Sequence, residues 1–212
     1  MALTRGERAV AGVPSVASAP TAWETLGRRQ AAELVVPGAL IGLLGGTIAG
    51  ALAVSGGLNP WLALVSAITL GVPLAVVGGI YEILLAKGRV PLGPLAPAAM
   101  VWIVGFPIAR VLHALLVNVY ASSEAAVPNG WAGFIVYNTL LSVPFAIGFW
   151  WLHENFAPRW WMHLEGRNPV AAEFLAVLVS GVRERRQRKA PDGRLRGLAG
   201  MQERRLRRRK KL

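Results

Sequence analysis

Residues 34–55 read LVVPGALIGLLGGTIAGALAVS, a run without one charged side chain and with glycine at Gly38, Gly42, Gly46 and Gly50, plus Gly45. Glycine costs a helix in water about 1 kcal/mol relative to alanine, so a soluble helix would not be expected to carry this run. In lipid the spacing has a use. Residues four apart on a helix advance by about 40°, so the four glycines form a slowly turning groove into which a second backbone can press, the small-residue packing of membrane helices.

The rest of the chain agrees. Its 212 residues are 54% hydrophobic and 16% charged, with a positive mean hydropathy, too apolar for an ordinary soluble domain. Four segments, 34–55, 60–86, 95–119 and 131–153, each supply the roughly 20 residues that cross a hydrocarbon core. A soluble bundle would need a polar face on each, and the first segment offers none. The expected fold class is an all-α polytopic membrane protein with four transmembrane helices. Its parts are a cytoplasmic N-terminal segment (1–30), the membrane domain (31–155), a cytoplasmic interfacial helix region (156–189) and a basic, unstructured tail (190–212).

Charges set the expected topology. The loop SGGLNP has none, KGRVPLGP carries Lys87 and Arg89, and ASSEAAVPNG carries only Glu124. The positive-inside bias therefore puts the second loop and both termini in the cytoplasm, in a cytoplasmic membrane. Aromatic belts match this register, with Trp61, Tyr120 and Trp131 outside and Tyr81, Trp150, Trp151, Trp160 and Trp161 inside. Residues 1–30 mix acids and bases without an apolar stretch, so no cleaved signal is expected. An excess of arginine over lysine, 19 to 4, with heavy use of Ala, Gly and Val, fits a GC-rich bacterial genome.

The second segment carries a matching stripe, Ala63, Ala67, Gly71, Ala75 and Gly79. Because a short uncharged loop joins the two segments, an antiparallel hairpin would lay one stripe on the other. The alternative is a glycine zipper facing another subunit.

Polar groups inside the spans are few. Arg110 lies about 15 residues into the third segment, about 22 Å from its inner end, where a charge is costly and must face protein, water or a counter-charge. His113, Tyr137, Asn138 and Ser142 lie at comparable depth and are read with Arg110 as one outer-leaflet cluster, with Glu124 the one acid of this chain able to reach it. At the inner end Glu82, His153 and Glu154 are read chiefly as solvated ion pairs with Lys87, Arg89 and Arg159. A metal or proton site there is the sharper alternative.

No cofactor or metal is expected. The chain has no cysteine, which excludes thiolate sites and disulfides. His113 and His153 lie at different depths, which disfavours a bis-histidine haem. No hydrolase, Walker or dinucleotide-binding motif occurs in a suitable context. Pro73, Pro107 and Pro144 fall in mid-helix, where each removes a backbone hydrogen bond.

Beyond the fourth span, Asn168 and Pro169 mark a helix start, and Val170, Phe174, Leu175, Leu178 and Val182 share a face too short to cross a membrane, an interfacial helix. Residues 183–212 then hold 14 Lys or Arg against Glu184, Asp192 and Glu203, nearly all of the net charge of +12. Arg204, Arg205, Arg207, Arg208, Arg209, Lys210 and Lys211 form a tail suited to anionic lipid or an acidic protein surface. It lacks the interleaved aromatics of a single-stranded nucleic-acid binder.

Binding features thus outnumber catalytic ones. The expected function is a non-enzymatic accessory or scaffolding subunit of a larger membrane assembly, with the lipid bilayer and other membrane subunits as partners. The alternative is a small oligomeric transporter or channel for an anionic or lipid-like solute. A third reading, a metal-dependent membrane enzyme, would use Glu82, His153 and Glu154.

Overall fold

The computed structural model describes residues 21–121 and 130–184. Four long helices follow a short 3-10 turn at Thr21–Thr25: α1 (Arg28–Ser55), α2 (Pro60–Ala86), α3 (Leu95–Ala121) and α4 (Gly130–Leu164). All four are long and apolar enough to cross a membrane. A further helix, α5, covers residues 169–184. The described residues up to Leu175 form one compact unit, and 176–184 fall outside it. Glu124 and the basic residues from Arg204 to Lys211 lie outside the described residues.

Local chemistry sets the helix ends. Asn59 caps α2, its Oδ1 accepting the Trp61 N–H at 2.9 Å, with Pro60 at the first helical position, where its missing N–H costs nothing. Gln30 Oε1 accepts the Gly27 N–H at 3.0 Å at the start of α1. Two helices run further than hydropathy indicates. α1 begins at Arg28, and α4 continues past His153, Glu154 and Arg159 to Leu164, because leaving the apolar layer does not end a helix that still has something to pack against. That something is the first turn of α1 and the start of α5.

Within the unit, α1 packs on α2 and α4, and α3 packs on α2 and α4. The α1–α2 seam runs through the glycines. A Cβ on Gly38 would overlap the Gly78 carbonyl, one on Gly42 the backbone of Leu74, one on Gly46 the backbone of Gly71, and one on Gly50 would come within 2.6 Å of the Ala67 Cβ. The ridge is therefore filled by the chain's own second helix, in the antiparallel register that the Ala63, Ala67, Gly71 and Ala75 stripe implies. Toward the end of α2 the seam uses Gly78 opposite Gly38, while Gly79 lies against Val35 instead, where a Cβ would come within 2.6 Å of its Cγ1. Gly45 and Gly105 open two more close approaches, to Phe145 and Val77.

The core is aromatic. Trp102, Tyr81, Phe149 and Trp161 are fully buried, and Trp102 lies against Phe145 and Phe149 at ring-centre distances of 4.6 and 4.7 Å. Tyr81 and Trp161, read from sequence as interface anchors, are thus core residues. Large aliphatic side chains such as Ile48, Leu52, Ile68, Val76, Val104, Ile108 and Leu140 point outward, as lipid-facing side chains do.

Candidate functional site

Polar side chains gather at two levels of the bundle. The one nearer Lys87 and Arg89 joins three helices. His153 of α4 places Nε2 3.0 Å from Glu82 Oε1 of α2, and the same oxygen accepts the Gly38 N–H of α1 at 2.9 Å. Both side chains are 1% exposed. Tyr81, Phe149 and Trp161 enclose the imidazole, with ring centres 5.2, 5.8 and 5.8 Å away. The sequence reading of Glu82 as a solvated ion-pair partner of Lys87, Arg89 or Arg159 is corrected here: the carboxylate faces inward because the glycines at Gly38 and Gly78 leave room for it beside α1, and its partner is an imidazole.

Because the Gly38 N–H can only donate, Oε1 accepts from it, and with Glu82 ionised His153 meets the same oxygen with a proton on Nε2. Two atoms of the pair, Glu82 Oε2 and His153 Nδ1, then have no hydrogen-bond partner. The nearest acid to Nδ1 is Glu154, whose Oε1 is 3.8 Å away and whose side chain is 26% exposed. That distance exceeds a hydrogen bond. Among the described residues no three His, Cys, Asp or Glu side chains form a group that could hold a metal ion.

At the other level, toward the end of α3, the hydrogen bonds form two sets, while Arg110 stays within electrostatic reach of both His113 and Tyr137. Arg110 Nε donates to Asn138 Oδ1 at 3.0 Å, and Asn138, itself buried, donates from Nδ2 to the Phe134 carbonyl at 2.8 Å. The guanidinium is therefore aimed by α4. His113 turns the other way, to α2: its Nδ1 lies 3.0 Å from Thr69 Oγ1 and its Nε2 3.5 Å from Ser66 Oγ. With Thr69 donating to the Val65 carbonyl at 2.7 Å, the contacts are satisfied by an Nδ1–H tautomer that accepts at Nε2. Ser142 is buried but bonds only within its own helix, to the Thr139 carbonyl. Tyr137 is 59% exposed, on the bundle's outer surface. Ser66 and Thr69 were missed in the sequence because hydroxyls inside apolar helices commonly bond back to their own carbonyls, which hides a cross-helix role.

Among the described residues no carboxylate pairs with Arg110, and its Nε contact with Asn138 is the one hydrogen bond it makes there. Its position along the helices is bounded from both ends. Arg110 precedes the end of α3 by 11 residues, about 16 Å, and Asn138 follows the start of α4 by 8, about 12 Å. A helical side chain also leans toward the N-terminus of its helix, which for α3 is the Lys87–Arg89 end.

A third set of contacts closes the end of the bundle where α1 begins and α4 stops. Pro37 has no N–H, so the Glu33 carbonyl lacks its helical donor, and Trp160 Nε1 supplies one at 2.8 Å. Gln30 Nε2 donates to the Arg167 carbonyl at 2.7 Å, Asn168 Nδ2 to the Gln30 carbonyl at 2.9 Å, and Arg167 approaches Glu33 at 3.4 Å. Asn168 also caps α5, its Oδ1 accepting the Ala171 N–H at 3.3 Å. Val170, Ala171 and Phe174 are buried, Phe174 against Trp161. The first turns of α5 are thus packed into the same unit as the four long helices.

No family model, curated protein or solved structure matches this chain.

Proposed function

We propose that the chain is a non-enzymatic integral membrane subunit that binds a larger membrane assembly, and that Arg110 is the point of attachment within the bilayer. One observation carries this reading: a half-buried guanidinium, deep in a membrane-spanning helix and aimed by Asn138, has no carboxylate among the described residues. A charge at that depth is stable only beside a counter-charge, water or a polar cavity. Side-chain lean and the Asn138 bond both keep it from the lipid phosphates above.

The partner's chemistry follows from the chain's own acids. Between residues 34 and 153 these are Glu82 and Glu124. Glu82 is enclosed on His153 toward the opposite end, so a second copy in the same orientation has no acid within its spans to offer Arg110. The fitting partner is a transmembrane helix of another protein carrying Asp or Glu in the outer half of its span. The basic tail would add a second contact, on anionic lipid or an acidic protein surface at the cytoplasmic face of the membrane.

The test is photocrosslinking from Ile108 in native membranes, compared across Arg110→Lys, Arg110→Leu and Glu124→Gln. A heterologous membrane protein with an intramembrane acid, retained by Arg110→Lys and lost with Arg110→Leu, supports the reading. A monodisperse single chain without adduct overturns it, as does a Glu124→Gln variant destabilised as much as Arg110→Leu, which would make Glu124 the internal counter-charge. The same guanidinium also suits a path for an anionic solute. Flux of an inorganic anion in reconstituted vesicles, abolished by Arg110→Ala while the fold persists, would favour that second reading.

A further inference from the structure

We propose that Glu154, His153 and Glu82 form a one-sided proton-uptake line, along which a proton from the aqueous face beside Lys87 and Arg89 reaches a carboxylate enclosed between α1, α2 and α4. Packing alone does not account for the pair, since buried charged partners are commonly no more stabilising than apolar side chains of the same volume. The pair is also incompletely bonded, with Glu82 Oε2 and His153 Nδ1 both buried and without a partner. Unsatisfied buried atoms on two titratable groups in contact are a feature of functional sites more than of cores.

Its surroundings give the line a direction. α1 contributes the Gly38 N–H and α2 contributes Tyr81 and Glu82; α3 contributes the Trp102 ring on Phe149, and α4 contributes Glu154 and Trp161. Among the described residues no Lys or Arg pairs with Glu82. Glu82 precedes the end of α2 by four residues, about 6 Å, and Lys87 and Arg89 beyond it are exposed. Glu154 is the partly exposed member, and the 3.8 Å from its Oε1 to Nδ1 closes with a small side-chain movement or one bridging water.

The transfer balances. Starting from two carboxylates and a neutral imidazole protonated on Nε2, a hydronium ion gives its proton to Glu154 and leaves as water, Glu154 passes that proton to His153 Nδ1, and the proton on Nε2 passes to Glu82 Oε1. Glu154 is again a carboxylate, the imidazole is neutral with its proton now on Nδ1, and Glu82 is a neutral acid. Only O–H and N–H bonds are made and broken, and the reverse steps return the proton to the same side. The transfer changes the charge at the oxygen that holds Gly38, so the α1–α2 seam registers proton occupancy.

The test is proton exchange at the ring nitrogens of His153 in ¹⁵N-histidine-labelled full-length protein in lipid nanodiscs, with His113→Gln and His163→Gln used for assignment. The proposal expects exchange within the hours of the experiment, slowed tenfold or more in Glu154→Gln at an unchanged unfolding midpoint. Glu82→Gln, if it folds, is expected to abolish the change of protonated nitrogen with pH. An exchange rate in Glu154→Gln equal to the unmodified chain overturns the route, and ring protons that persist for days in the unmodified chain overturn the uptake itself. Neither result bears on Arg110, so the two proposals fail separately.

Discussion

Trp160 and Glu33, 127 residues apart, are joined because Trp160 Nε1 donates to the one carbonyl of α1 that Pro37 leaves without a helical donor. A tryptophan here completes another helix. Trp160→Phe keeps most of the apolar area and removes the donor, so it should cost about 1–3 kcal/mol, the desolvation cost of an orphaned carbonyl. Unfolding by SDS in mixed micelles measures it, and an unchanged midpoint would mean that the carbonyl finds another donor.

The seam makes a sharper contrast. Gly46→Leu would drive a side chain into the backbone of Gly71, and we expect a loss of about 3 kcal/mol or more, at or beyond the upper end of overpacking effects. Gly148 of α4 has open space around it, so Gly148→Ala should be neutral or stabilising by up to about 1 kcal/mol. Measuring both against the unmodified chain separates the seam from glycine content in general.

Removing one member of the Glu82–His153 pair should cost more than removing both. Glu82→Leu or His153→Leu alone leaves an uncompensated buried group, at about 3–5 kcal/mol, whereas the double variant replaces the pair with apolar volume. A double-mutant cycle reads the coupling. Additive single effects would show that the two groups do not act as a pair.

Asn138→Leu removes the acceptor that aims Arg110. The guanidinium then loses its one hydrogen bond among the described residues, and the expected destabilisation is about 1–3 kcal/mol. If the partner reading holds, crosslinking from Ile108 should fall as well, since an unaimed charge is a poorer match for a fixed acid.

Orientation can be read directly, because the chain has no cysteine. An impermeant maleimide should label Ser55→Cys in intact cells and Arg89→Cys only in inverted membranes. The opposite pattern would reverse the topology inferred from Lys87 and Arg89.

Composition carried the four spans, and the spacing of Gly38 to Gly50 against Ala63 to Ala75 carried their first pairing, since both are periodic along the chain. The polar pairings were not legible in the same way. Glu82 and His153 are separated by 71 residues, and each sits beside basic residues in the sequence that look like adequate partners. His113 lies one turn from Arg110, which invites grouping them, yet the two side chains leave α3 toward different neighbours. The end of α4 was missed for a related reason: hydropathy marks where a helix leaves lipid, while the contacts of Trp160 and Trp161 decide where it stops.

Along α1, the absence of any space for a Cβ at Gly38, Gly42 and Gly46 reduces the permitted alphabet to one letter at every fourth position. The outward side chains between them, Leu40, Leu44 and Ile48, can be exchanged for almost any other hydrocarbon. A saturation scan of this segment should therefore show a beat of four, broken at Gly45, where a Cβ would meet the Phe145 ring. Drift in such a helix is confined to the face that meets lipid.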